Sequence, residues 1–191
     1  MNEVDSLQIE DIGESSNFVR QGSLRKVISA DHKNDNLFGR PKEELHKLYK
    51  DIHLEYLILA EYKSVISENI QSVYVIPSRE NFLEWFGVIF VKNGPYQDGI
   101  FRFQLILDPG YPKNNISPLV RFQSKMFHPA IDPETNELNI RKVFPIWDKS
   151  ENHIWQVVKF VVWVFKSVEG SLAYEANKEA SQLILGFCQG A

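Results

Sequence analysis

From Ile154 to Val168 the chain reads Ile-Trp-Gln-Val-Val-Lys-Phe-Val-Val-Trp-Val-Phe-Lys-Ser-Val. Wound into a helix, this stretch points apolar side chains in nearly every direction. Only Gln156, Lys159, Trp163 and Lys166, spaced by three and four, make a more polar stripe, and Trp163 is its apolar exception. A helix like this must be covered on most sides. Its longest apolar run, Val157 to Phe165, is broken by Lys159 and falls well short of the roughly 20 residues a bilayer span needs. The cover must therefore come from the rest of the protein, and a sheet is the broadest surface a chain can offer.

Four stretches upstream supply one. Ser72 to Pro77 is short and β-branched. Leu83 to Val91 is a continuous apolar run with aromatics, the pattern of a strand buried on both faces. Lys92-Asn93-Gly94-Pro95 is a turn. Ile100 to Leu107 alternates, with Phe101, Phe103, Leu105 and Leu107 on one side and Arg102 and Gln104 on the other. Leu119 to Gln123 follows Pro118. Ahead of the strands a helix starts at Pro41, a residue suited to the first helical position, and runs to about Asn69. Its stripe is Leu45, Leu48, Tyr49, Ile52, Tyr56 and Leu59, widened by Leu54, Leu57, Ile58 and Val65. Glu169-Gly170-Ser171 closes the central helix with Gly170 as cap, and Ala173 to Leu185 makes a last helix. The order predicts an α+β fold: an N-terminal helix, a four-stranded antiparallel meander, then C-terminal helices.

The 191 residues suit one domain plus an arm. The domain is expected over 40–186, with an arm over 1–39 and a tail over 187–191. The arm is sparse in apolar residues, so disorder is its default. Within it, Arg20-Gln21-Gly22-Ser23-Leu24-Arg25-Lys26 reads as a solvated linker, a docking motif or a kinase target. A net charge of −4 argues against nucleic-acid binding. The one cysteine, Cys188, makes neither an internal disulfide nor a cysteine-rich metal site, which points to a reducing compartment. No secretory signal and no transmembrane segment is visible, so a cytoplasmic protein is expected, with any membrane association going through partners.

One stretch stands apart: Phe127-His128-Pro129-Ala130-Ile131-Asp132-Pro133-Glu134-Thr135-Asn136-Glu137-Leu138-Asn139-Ile140. His128 and Asp132 lack a third and fourth donor nearby, so no metal is expected, and packing of a His-Pro turn is the simpler role for His128. Asp132, Glu134 and Glu137 read as solvated turn residues rather than a general acid/base pair. No Gly-rich phosphate loop and no repeat is present, and no cofactor is expected.

This segment resembles the active-site flap of ubiquitin-conjugating enzymes, where His-Pro-Asn precedes the catalytic cysteine by about ten residues. Here His128 and Pro129 stand in place and Ala130 replaces the asparagine. Thr135-Asn136-Glu137-Leu138-Asn139-Ile140 matches the family's Thr-Gly-Glu-Val-Cys-Leu, which puts Asn139 at the cysteine. A turn one residue shorter puts Leu138 there. The family's reaction needs a thiolate that is both nucleophile and leaving group; neither an amide nor leucine serves. The resemblance also implies that the missing asparagine supports an oxyanion, a donor whose loss costs about 100- to 1000-fold in rate. A catalytically inactive member is expected, with His128, Pro129, Ala130 and Asn139 as a degenerate site.

Trp85-Phe86-Gly87-Val88-Ile89, Tyr96-Gln97-Asp98-Gly99-Ile100-Phe101 and Tyr111-Pro112 leading to Pro118-Leu119-Val120-Arg121-Phe122 extend the resemblance over roughly residues 51–186. His153-Ile154-Trp155-Gln156-Val157 and Phe144-Pro145-Ile146-Trp147 narrow it to the fused-toes branch, which lacks the cysteine and includes crossbronx proteins. That resemblance alone implies a protein-binding scaffold that joins Hook-type adaptors in a vesicle-trafficking complex. Trp163, Trp155 and Trp147 are the candidate partner-binding residues. Two other readings stay open: a ubiquitin-binding cofactor of an active conjugating enzyme, and ubiquitin transfer through Cys188.

Overall fold

The β-rich stretches pair in the order in which they occur. The structure, a computed structural model, describes residues 41–189, with side chains through Gly186; the expected arm over 1–39 lies outside the described residues. Strands β1 (Val73–Pro77), β2 (Glu84–Phe90), β3 (Ile100–Ile106) and β4 (Leu119–Phe122) form one sheet in the order β1-β2-β3-β4. Every pairing is antiparallel. Tight reversals make this order possible. Gly94 and Asp98 take φ values of 91° and 62° between β2 and β3, the left-handed region that glycine adopts freely and aspartate tolerates.

Alternation sorts the sheet into two faces. Trp85, Ile89, Phe103, Leu105, Val120 and Phe122 all point inward and are buried. Gly87 faces Phe103 across the ladder, and a methyl group added at Gly87 would sit 2.2 Å from the tip of the Phe103 ring. Contrary to the sequence expectation, β2 is buried on one face only. Phe86 and Phe90 are exposed beside Tyr74 and Ile76 of β1. Apolar residues at consecutive positions therefore serve two different faces here, one packed and one open.

Helix α2 (Ile154–Lys166) lies in the core with Val157, Val158, Val161 and Val164 fully buried. Lys159, Trp163 and Lys166 hold its exposed stripe, as their spacing predicts. Helix α1 (Lys42–Ser67) is less committed, with only Ile58, Glu61 and Val65 buried. The chain divides into two units, residues 1–45 and 46–191. Of the first, only 41–45 are described, where the Leu45 N–H reaches the Pro41 carbonyl at 3.2 Å. The sheet, the flap and α2 all belong to the second.

The C-terminal third departs most from expectation. Ser167, not Gly170, is the C-cap of α2, its N–H bonded to the Trp163 carbonyl. Gly170 opens a 3₁₀ turn, Gly170–Tyr174. Its missing side chain matters for space, since a Cβ there would lie 2.9 Å from the Trp163 ring. Helix α3 then starts at Lys178 rather than near Ala173, and it runs through Gln189, beyond the expected domain end and past Cys188. The late start has a cause: Asn177 accepts the Ala180 N–H at 3.1 Å, an N-cap that fixes where the helix begins.

Candidate functional site

The flap begins beyond β4 and is anchored from beneath by two rings. Tyr96 donates its hydroxyl to the Phe127 carbonyl at 2.5 Å, and burial pushes its pKa up to about 12. His128 is fully buried, its ring 5.2 Å from that of Tyr96 and 5.1 Å from that of Phe165. Its Nδ1 accepts the Ala130 N–H at 3.1 Å, which leaves Nε2 to donate to the Val164 carbonyl of α2 at 3.1 Å. Both nitrogens of the neutral imidazole are thus occupied by backbone, and neither has a lone pair for a metal. Burial lowers its pKa to about 4, against a smaller opposing pull from the Val164 hydrogen bond.

The turn of the flap is closed by its own side chains. Asp132 accepts the N–H groups of Glu134 and Thr135 and the Thr135 hydroxyl. The Thr135 and Glu134 backbone bonds hold its carboxyl below the usual range, the opposite of what a general acid needs. Asn136 turns the chain with φ 58°. Ile131 and Leu138 then form an antiparallel bridge, as do Arg121 and Glu137, and Arg121 pairs with Glu137 at 2.7 Å. This register sets Leu138 and Asn139 on opposite sides of the strand-like segment. Leu138 points into the core and is 3% exposed, whereas Asn139 is half-buried at the surface.

Asn139 is also bonded in place. Its N–H reaches the Ala130 carbonyl at 2.9 Å. Its side-chain amide donates to the carbonyls of Tyr174 and Glu175, each at 3.4 Å. The Pro129 carbonyl accepts the N–H groups of Ala176 and Asn177 at 2.7 and 2.9 Å. The flap and the 173–177 segment are therefore laced together, and a groove of about 320 Å³ lined by Leu138, Asn139, Ile140 and Ala176 runs beside them. Ala130 is fully buried and offers only its backbone.

The three tryptophans separate. Trp163 is 37% exposed, stacked on Phe160 at 5.7 Å and edge-on to Tyr174 at 5.8 Å. Trp155 is half-buried beneath Lys159, whose ammonium sits 4.3 Å from the ring centre and pairs with Glu68 at 2.6 Å. Trp147 is 1% exposed and packs edge-on against Phe144, so its ring offers no surface to a partner. The exposed large hydrophobic residue of that stretch is Ile146.

A sheet meander with one buried helix across it and a His-Pro flap beside that helix is a specific combination. The family model described as ubiquitin-conjugating enzyme matches residues 57–184. The chain belongs to that family.

Among its relatives are a protein crossbronx homolog from Culex quinquefasciatus, 44% identical over 140 residues, and protein crossbronx from Drosophila mojavensis, 42% identical over 150. The matches cover 72% and 75% of this chain and 61% of each relative. Human AKT-interacting protein is 40% identical over 138 residues, which are 72% of this chain and 46% of that protein. The chain thus matches less than two thirds of the length of these relatives. In fold it is similar to a putative ubiquitin conjugating enzyme from Plasmodium yoelii, with a TM-score of 0.55 at 22% identity over 67% of this chain and 80% of that one.

Within the family-matched residues 57–184 there is no cysteine. The residues that secure the site beyond the motif are Tyr96, Tyr174 and Asn177. Asn177 carries a readable signal, a cap residue followed by Lys-Glu-Ala. Tyr96 and Tyr174 carry none, because their partners lie 31 and 35 residues away.

Proposed function

We propose that this chain is a catalytically silent ubiquitin-conjugating fold that works as a protein-binding scaffold. One observation carries the proposal: Asn139, which the family resemblance aligns with the nucleophile, has an amide side chain that is spent on two backbone carbonyls of its own chain. An amide is no leaving group for an acyl transfer and no nucleophile at neutral pH. A fold that keeps its flap, its buried histidine and its core without that chemistry is kept for its surface.

The surface we assign to the partner is the exposed face of α2 around Trp163. Large aromatic residues at the centre of a contact carry a disproportionate share of binding energy. The resemblance to the fused-toes branch implies a Hook-type adaptor as that partner, in a vesicle-trafficking complex of the cytoplasm. The name of the human relative, AKT-interacting protein, also supports a role in protein interaction. Binding of a purified Hook-type adaptor to the wild-type chain and to Trp163→Ala tests the reading. Tight binding that weakens at least about tenfold in the variant is expected; no binding by the wild type sinks the adaptor role.

A further inference from the structure

The strap from Ala173 to Asn177 joins the vestigial site to the exposed aromatic face. Its far end is held by backbone, through the two N–H groups that Pro129 accepts. Its near end is held by side chains, with Lys142 Nζ 3.4 Å from the Ala173 carbonyl and the Asn139 amide on the carbonyls of Tyr174 and Glu175. Tyr174 closes the 3₁₀ turn, and its ring packs edge-on to Phe160 at 5.1 Å and Trp163 at 5.8 Å. A contact path thus runs from Asn139 through the Tyr174 backbone to its ring and on to Trp163.

We infer that Asn139 is a positioning residue for the Trp163 face. The last carbonyls of a helical turn have no partner within the turn, and 3₁₀ geometry holds its own hydrogen bonds poorly. Asn139 supplies the missing donor from a distant part of the chain, as a C-cap in trans. A cysteine at this position offers one weak S–H donor. Asparagine has an N–H₂ group, which meets two carbonyls at once. The same exchange that removes the nucleophile therefore installs the clasp, and the old reaction site becomes a support for the binding surface. Its functional meaning rests on the scaffold reading, while its geometry does not.

The test compares the wild-type chain with Asn139→Ala and Asn139→Asp, all labelled with 5-fluorotryptophan. Hydrogen exchange is read at 173–177 and the fluorine resonance at Trp163, assigned with Trp163→Phe. Loss of one net hydrogen bond predicts exchange about 2- to 12-fold faster in the strap of Asn139→Ala. Asn139→Asp keeps the shape but turns a carboxylate toward two carbonyl oxygens, so its strap exchanges at least as fast as that of the alanine variant. The Trp163 resonance shifts or broadens in both, and those of Trp85 and Trp147 stay. An unchanged strap in Asn139→Ala overturns the inference. So does a uniform rise in exchange across α2 and the sheet, or a loosened strap with the Trp163 resonance unmoved. Neither readout needs a partner, so failure here is distinct from failure of the scaffold reading.

Discussion

Glu61 of α1 places its Oε2 3.0 Å from the backbone N–H of Ile154, the first residue of α2. Its Oε1 lies 3.1 Å from His153 Nδ1. A buried carboxylate from one helix thus caps the start of another, where N–H groups lack partners and the helix dipole favours negative charge.

Replacing Glu61 with alanine leaves the Ile154 N–H buried without an acceptor. The expected cost is about 1–3 kcal/mol in urea unfolding. Glu61→Gln, which keeps an acceptor but loses the charge, is expected to cost less than Glu61→Ala. Equal stability of wild type and Glu61→Ala would show the cap to be idle.

The buried histidine makes stability depend on pH. His128 is neutral in the fold, with a pKa of about 4 against an ordinary 6.5. Its contribution is complete above pH 6.5 and falls away as the pH drops from 6.5 through 4, because the unfolded chain takes up the proton first. The depression from 6.5 to about 4 corresponds to about 3 kcal/mol. Urea unfolding from pH 7 to 4.5 checks this, and His128→Gln is expected to flatten that part of the profile.

Gly87 is required for close approach rather than for turning. A side chain there meets the Phe103 ring at 2.2 Å, in the fully buried core. Gly87→Ala is expected to cost about 1–3 kcal/mol by overpacking, and a Gly87→Ala/Phe103→Leu double variant to recover part of it. Additive losses in the pair would contradict the contact.

Restoring a thiol is not expected to restore the reaction. Asn139→Cys lacks an amide at position 130, and one oxyanion donor is worth about 2.7–4 kcal/mol of barrier. A faint thioester with no transfer to lysine is the predicted outcome. Robust transfer would show that Ala130 is no obstacle.

Much of this molecule is legible in its residues. Alternation in Ile100 to Leu107 marks the inward face of β3, and the stripe of Gln156, Lys159, Trp163 and Lys166 marks the exposed side of α2. The flap is legible because His128-Pro129 and Thr135 to Ile140 fix its register at both ends. β2 misleads, since a run of apolar residues looks the same whether the second face is packed or open. Trp147 misleads for a related reason: size and aromaticity do not say which way a residue in an irregular segment points. The clasp at Asn139 has no local signature, because its acceptors are 35 and 36 residues away and belong to backbone that any residue would supply.

On the proposed scaffold reading, the chain is expected not to carry ubiquitin on a thiol. The most direct measurement incubates the wild-type chain with ubiquitin, activating enzyme and ATP and resolves it without reductant. No thiol-sensitive ubiquitin band is expected, on the wild type or on Cys188→Ser. Such a band on the wild type, abolished by Cys188→Ser, would contradict the scaffold reading and make this chain an enzyme that works through its last helix.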